Sequence, residues 1–357
     1  MLETTSVPSD RYGAAAPPLD ASPGSSADRA RRETITLDGI RRPVADELEA
    51  FRDYFREAMR SDVSLLDKVT RYVLKQKGKR IRPLLVLLAA KSCGRVRETS
   101  YRAAALVEIL HTATLVHDDV VDEADERRGA FSINALWGNK ISVLLGDFLL
   151  SEGLLLSLDH GDYDVLHALS DAIRRMSEGE LLQIEKSRLL DIDEETYFRI
   201  ISDKTASLIG ACTRAGALSA SGDEREADRM HEAGEKLGLA FQIRDDLFDF
   251  DPESAVGKPL GLDVQEKKMT LPLIHALSRA GRSERQHILK IVGKDDKDRE
   301  DLRAVATFAE ERDGLTYARE RMHTLADEAR QLFADFPPTQ ARDALLDLTQ
   351  FVVQRER

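Results

Sequence analysis

The sequence predicts an all-α fold, a single domain of about a dozen helices with essentially no sheet, and three observations carry that expectation. From Pro43 onward apolar residues recur at three- and four-residue spacing, as in Val44, Leu48, Phe51, Tyr54 and Phe55 and then Leu65, Leu66, Val69, Tyr72 and Val73. Strand-like alternation between turn dipeptides is absent. Instead Gly78, Gly94, Gly129, Gly161, Gly222, Pro252 and Gly257 separate stretches of helical length. A chain of 357 residues, 42% hydrophobic, can also fill a core of that size.

Residues 1–35 are rich in Pro, Gly, Ser and Ala and poor in large apolar groups, so they cannot offset the entropy of ordering; a disordered tail is expected there. The helical domain is expected over 36–357. Within it, 98–122, 134–158 and 164–190 are apolar on much of the helix circumference and are expected to lie centrally.

The balance of 52 basic and 64 acidic residues, net −12, argues against a nucleic-acid binder or a basic membrane-surface protein. Cys93 and Cys212 lie in apolar helical stretches without metal-knuckle or disulfide spacing, and are expected to be buried free thiols of a reducing compartment. The longest apolar run near the N-terminus is broken by Pro17 and Pro18, so no signal peptide or anchor is expected, and Glu3, Asp10, Asp20 and Asp28 speak against a transit peptide. The expected location is the cytoplasm, without stable membrane insertion.

Two segments read Asp-Asp-x-x-Asp: Asp118, Asp119 and Asp122, and Asp245, Asp246 and Asp249. Helix geometry puts the first and last Asp of each on one face, so both carboxylates can hold one hard cation, and magnesium keeps waters and substrate phosphates among its ligands. One copy in an Asp-rich chain is a weak signal. Two copies, each following a strongly apolar turn, are stronger, because carboxylates on an inward-facing helix end need a ligand to offset desolvation. A third pair, Asp295-Asp296, lies in the charged run GKDDKDRED and reads as solvated surface. Basic groups complete the picture: GKRIRP places Lys79, Arg80 and Arg82 at the start of an apolar helix, where free N–H groups favour phosphate, and Arg127-Arg128 follow the first Asp motif.

With these segments in view, the chain resembles the trans-isoprenyl diphosphate synthases, or polyprenyl synthetases, and in particular their long-chain octaprenyl and solanesyl members. The resemblance runs from GKRIRPLLVLLAA through EILHTATLVHDDVVDEADERRG, SVLLGDFLL and DKTASL to FQIRDDLFDF and GKPLGLDVQEKKMTLPLIHAL. It implies helices around a central apolar cavity, a homodimer, and magnesium, three ions per site, bridging the allylic diphosphate. It implies that Lys79, Arg82, His111 and Arg128 hold isopentenyl diphosphate, and that Arg127, Lys204, Lys258 and Lys268 hold the allylic diphosphate. Asp118, Asp122, Asp245 and Asp249 would ligate metal, with Asp119 and Asp246 in the same motifs, and Thr205 and Gln242 would line the reacting carbon. The implied reaction adds isopentenyl diphosphate to farnesyl or geranylgeranyl diphosphate, giving long all-trans products for quinone side chains.

Product length is expected to depend on the side chains before Asp118. Ala113 and Thr114, five and four residues earlier, are small where shorter-chain members tend to place aromatic rings; Leu110, Ile109, Leu106 and Ala103 would line a tunnel, with Leu154, Leu155 or Leu158 as its floor. Back to Glu98 that helix would span about 30 Å, room for about six isoprene units.

Other readings are weaker. Glu108/His111, Glu284/His287 and Glu320/His323 repeat the Glu-x-x-His of di-iron bundles, but the last two lie in strongly charged segments and both Asp motifs would be left idle. His117 alone reads as a satisfied polar group. A class I terpene cyclase would not need Lys79 and Arg82, and a regulatory subunit would show eroded motifs.

Overall fold

Leu, Ala and long charged side chains, which lose little rotamer freedom in a helix, dominate most of the chain and carry it into helices. A computed structural model describes residues 35–75, 78–127, 129–250 and 261–354. The expected disordered tail, apart from Ile35, lies outside the described residues. Among the described residues fourteen helices of eight residues or more follow in order: α1 (Ala45–Ala58), α2 (Ser64–Lys75), α3 (Ile81–Ser92), α4 (Glu98–Val121), α5 (Asn139–Leu158), α6 (Tyr163–Leu189), α7 (Glu194–Ile201), α8 (Ser207–Ala220), α9 (Glu224–Phe248), α10 (Leu271–Arg279), α11 (Arg282–Val292), α12 (Arg299–Glu311), α13 (Gly314–Ala334) and α14 (Gln340–Gln354). Short helical turns at Leu37–Arg41, Ile133–Trp137 and Leu262–Gln265 punctuate them.

At the centre stand α3, α4 and α8. Helix α8 reads SLIGACTRAGALSA, and its small side chains let neighbours approach closely; a Cβ on Gly216 would lie 2.3 Å from the Val86 carbonyl oxygen of α3. Helix α8 packs on α3, α4 and α6 and most extensively on α9, so the two Asp-bearing helices, α4 and α9, are both fixed against one rigid element.

Only one of the three helices expected to be central is so. Helix α4 is buried along most of its length. Along α5, Val143, Leu144, Leu154, Leu155 and Leu158 are exposed, and α6 exposes Tyr163, Leu181, Ile184 and Leu189. Apolar composition shows that a face wants cover; it does not say that the same chain provides it. By length and composition α5 is also the one helix among the described residues long and apolar enough to cross a membrane.

The expected all-α fold holds, and the described residues add to it only a small antiparallel ladder, Glu126–Arg127 with Ala130–Phe131, pairing Glu126 with Phe131 and Arg127 with Ala130. Gly129, at φ +73°, adopts the left-handed conformation in its turn. The Tyr72 hydroxyl donates to the Phe131 carbonyl oxygen at 2.7 Å, tying the hairpin to α2.

Both cysteines are free; Cys212 is buried, whereas Cys93 is only half-buried. Burial pushes both thiols up to about 12, so neither is a reactive thiolate at neutral pH. Asp295 stays on the surface, pairing with Lys267 at 2.6 Å.

Candidate active site

The two Asp motifs occupy the same kind of position, the C-terminal end of a long helix. Asp118 and Asp119 lie in the last turn of α4 with Asp122 as its C-cap, and Asp245 and Asp246 lie in the last turn of α9 with Asp249 as its C-cap. A helix C-terminus is the negative end of the dipole, where carboxylates are disfavoured. Three Asp side chains at each such end therefore call for cations. Asp118, Asp122 and Asp245 are exposed, whereas Asp119 and Asp246 are buried at 4%.

Around the second motif the structure gathers five of the expected residues, Lys204, Thr205, Gln242, Asp246 and Lys268, into one cleft. A π-helical turn, Ser202–Ala206, joins α7 to α8 and carries Lys204 and Thr205. Such turns, with one extra residue in the helical repeat, occur often at functional sites. This one is buttressed: Arg175 of α6 donates to Asp203 at 2.9 Å, to Ser202 at 3.0 Å and to Glu235 of α9 at 2.6 Å. Gly179 lets α6 come close, since a Cβ there would lie 2.9 Å from the Lys204 nitrogen.

A chain of hydrogen bonds then crosses the cleft. The Thr205 hydroxyl donates to Gln242 Oε1 at 2.8 Å, Gln242 Nε2 donates to Asp246 Oδ1 at 2.9 Å, and the Tyr197 hydroxyl donates to Asp246 Oδ2 at 2.7 Å. Its polarity fixes the Gln242 amide, with the nitrogen toward Asp246. Burial pushes the Asp246 carboxyl up to about 7; the Tyr197 and Gln242 donors oppose that shift, and the Asp263 and Asp245 charges add to it. Burial, reinforced by Asp263, likewise raises Asp249 to about 6. Burial works against the Lys268 charge, but the Glu266 hydrogen bond and the Glu266 and Asp263 carboxylates outweigh it and raise its pKa. Lys204 bonds Gln183 at 2.8 Å and Glu180 at 2.5 Å, so its ammonium is already held on the cleft side of α6.

Asp249 has a second task. Its Oδ2 accepts the backbone N–H of Asp263 at 3.1 Å, capping the turn Leu262–Gln265 across the segment between them. Asp245 has the more open carboxylate of the two.

On the other side of α8, the GKRIRP segment begins α3 as expected, with Arg80 at the N-cap and no side-chain cap on the free N–H groups. Arg82 and Glu108 of α4 both act electrostatically on the Cys212 thiol of α8, in opposite directions. His111, three residues along α4 from Glu108, is buried at 8%. Arg127 enters the hairpin after the first motif; its side chain, Arg128 and Lys258 lie outside the described residues. Ala113 is fully buried at 0%, Thr114 is half-buried with its hydroxyl donating to the His111 carbonyl oxygen at 2.8 Å, and Leu110 is buried at 3%. Leu106 and Leu110 pack against Gly153 of α5. Leu154, Leu155 and Leu158 do not floor a tunnel within the chain: they are 43%, 49% and 47% exposed.

Sequence reading missed Tyr197, Gln183, Glu180 and Asp263. Tyr197 lies in an ordinary amphipathic stretch, and only its hydrogen bond to a residue 49 positions away gives it a role.

Among the described residues no three His, Cys, Asp or Glu side chains converge as a ready-made metal cage. Magnesium leaves part of its octahedron to waters and substrate phosphate. The paired carboxylates at two helix C-termini fit such an ion, and the lysines beside the second cluster fit a diphosphate.

The class these features define is an all-α protein with a carboxylate cluster at each of two helix C-termini and lysines beside the second. The chain belongs to the polyprenyl synthetase family, whose pattern matches residues 63–308, and it is a trans-prenyltransferase. It is 36% identical over 324 residues to the octaprenyl diphosphate synthase of Escherichia coli K12, covering 90% of this chain and 100% of that one. It is 34% identical over 327 residues to a short chain isoprenyl diphosphate synthase of Methanothermobacter thermautotrophicus, covering 88% and 99%. The crystal structure of a polyprenyl synthase from Caulobacter crescentus CB15, complexed with calcium and isoprenyl diphosphate, superposes with a TM-score of 0.81 at 34% identity, covering 91% and 100%.

Proposed function

We propose that this protein adds isopentenyl diphosphate repeatedly to farnesyl or geranylgeranyl diphosphate, with magnesium, to give a long-chain all-trans polyprenyl diphosphate of the kind used for quinone side chains. Ala113 is the observation that carries the product length. It is a fully buried small residue five positions before Asp118, where a larger ring would block the path of a chain growing along α4. The octaprenyl relative supports the same reading.

Asp118, Asp122, Asp245 and Asp249 would hold magnesium, three ions per site, which would supply charge to stabilise the departing diphosphate. The chain's own residues do the rest. Lys204 and Lys268, with Arg127 and Lys258, hold the allylic diphosphate, so the C–O bond breaks with its electron pair on that group. Thr205 and Gln242, locked by Asp246 and Tyr197, direct oxygen dipoles toward the allylic carbocation. Lys79, Arg82, His111 and Arg128 place isopentenyl diphosphate so that its double bond attacks that carbon and forms the new C–C bond. The released diphosphate takes the proton that is then lost, and apolar walls exclude the water that would quench the cation. The exposed apolar face of α5 supports a homodimer in which a second copy covers it, and the enzyme so covered is placed in the cytoplasm on this reading.

Incubation with labelled isopentenyl diphosphate, farnesyl diphosphate and Mg²⁺, followed by chromatography of the dephosphorylated products, tests this reading. Alcohols of about six isoprene units or more are expected; products that stop at three or four units would establish a short-chain synthase instead. In the same assay Ala113→Tyr is expected to shorten the products toward three or four units, and an unchanged distribution from a folded, active variant would place length control elsewhere.

The two diphosphate pockets separate kinetically. Arg82→Ala is expected to raise the apparent KM for isopentenyl diphosphate by about tenfold or more, and Lys204→Ala to act mainly on the allylic substrate. Equal effects on both substrates would overturn the assignment.

A further inference from the structure

A second basic cleft opens on the far side of the GKRIRP segment, and the proposed reaction does not use it. Helix α1, helix α2 and the Gly78–Arg80 segment enclose it, and five cations, Arg41, Arg52, Arg56, Lys75 and Arg80, surround it. Its floor is apolar. The half-buried Leu48 and Leu74 form it, backed by the buried Phe51 and Phe55 rings, which stack at 5.5 Å.

Two of the cations are already matched: Arg41 pairs with Asp38 at 3.2 Å and Arg56 with Asp53 at 2.8 Å. The side chains of Arg52, Lys75 and Arg80 make no hydrogen bond or close ion pair among the described residues. Arg80 is unusual in its backbone as well, at φ +46°, the left-handed region that a side chain normally avoids. Burial lowers its guanidinium pKa; Glu108 opposes that effect, and Arg52 and Arg56 lower it further. A strained arginine crowded by two others on a protein of net charge −12 is a local concentration of positive charge that Glu108 offsets only in part.

We infer that this cleft binds a phosphate- or diphosphate-bearing amphiphile, its head on Arg52, Lys75 and Arg80 and the start of its apolar tail on Leu48 and Leu74. Cations over an aliphatic floor suit that chemistry better than free phosphate, which has no use for the floor, or a neutral lipid, which has none for the charge. A prenyl phosphate and an anionic lipid share it. Arg41 also donates to the Lys79 carbonyl oxygen at 2.6 Å. Occupancy is therefore expected to alter the apparent KM for isopentenyl diphosphate, a consequence that rests on the role proposed for Lys79; the binding itself does not.

Dodecyl phosphate, titrated calorimetrically below its critical micelle concentration, serves as probe, with wild type, Asp118→Ala and the surface variant Arg52→Glu/Arg56→Glu compared. Wild type and Asp118→Ala are expected to bind one equivalent alike. Arg52→Glu/Arg56→Glu is expected to bind at least tenfold more weakly, with unchanged helicity and unchanged turnover in the absence of the probe. Equal binding by that variant, loss of binding in Asp118→Ala, or dodecanol or inorganic phosphate binding as tightly as dodecyl phosphate would each overturn the proposal. In the positive case, farnesyl phosphate and phosphatidylglycerol vesicles then separate the two sources of the head group. A probe-induced change in KM that Arg52→Glu/Arg56→Glu abolishes supports the coupling, and an unchanged KM in wild type overturns it.

Discussion

Asp118→Ala and Asp245→Ala are each expected to lower turnover by on the order of 10³-fold while leaving the helical circular dichroism spectrum unchanged. Both carboxylates are exposed at helix C-termini, so neither supports packing, and removing either relieves repulsion at the negative end of a dipole. On the proposed reading, their loss is a loss of cation binding. Titration with Mg²⁺ in the presence of a non-hydrolysable allylic diphosphate is expected to show weaker metal binding in both variants. Near-normal turnover in a folded variant would remove that cluster from the site.

Asp246→Asn is expected to abolish most activity and yet raise the melting temperature of the metal-free protein at pH 8 by a few degrees. The reason is the buried position of this carboxyl, whose pKa is pushed up to about 7. Its unfolded value is about 4. Between those values the folded state binds more protons than the unfolded state, so stability falls as pH rises from about 4 through about 7. Asparagine removes that titration and keeps partners for Tyr197 and Gln242, because the Tyr197 hydroxyl can accept from the new amide nitrogen as readily as it now donates. The melting temperature of metal-free wild type should thus decline over this window, while Asp246→Asn declines less. Magnesium with an allylic diphosphate is expected to recover the loss in wild type only. If the two metal-free proteins show the same slope with pH, the burial of an ionisable charge at Asp246 is not what shapes their stability. The exchange of stability for a charged cleft is the common pattern at functional sites.

Much of this site was legible because its chemistry is local in the chain. Asp118 and Asp122 are one helical turn apart, as are Gln242 and Asp246, and the sequence alone places such pairs on one face. Lys79, Arg80 and Arg82 precede an apolar run, so their position at a helix start was equally readable. The gathering of Lys204, Thr205, Gln242 and Lys268 near Asp246 rested on the resemblance, because nothing in their spacing brings them together.

What sequence determined by itself is the set of local energies: helical periodicity from Pro43 onward, the turns that break it, and carboxylates clustered beside apolar turns. Only the tertiary structure decided three things that depend on contacts between distant segments. The extra residue of the Ser202–Ala206 turn appears only where Gly179 and Arg175 of another helix brace it. Tyr197 becomes part of the site through a single 2.7 Å bond to Asp246. The apolar face of α5 points outward, because α4 and α8 already fill the centre, and periodicity measures how apolar a face is without saying what lies against it.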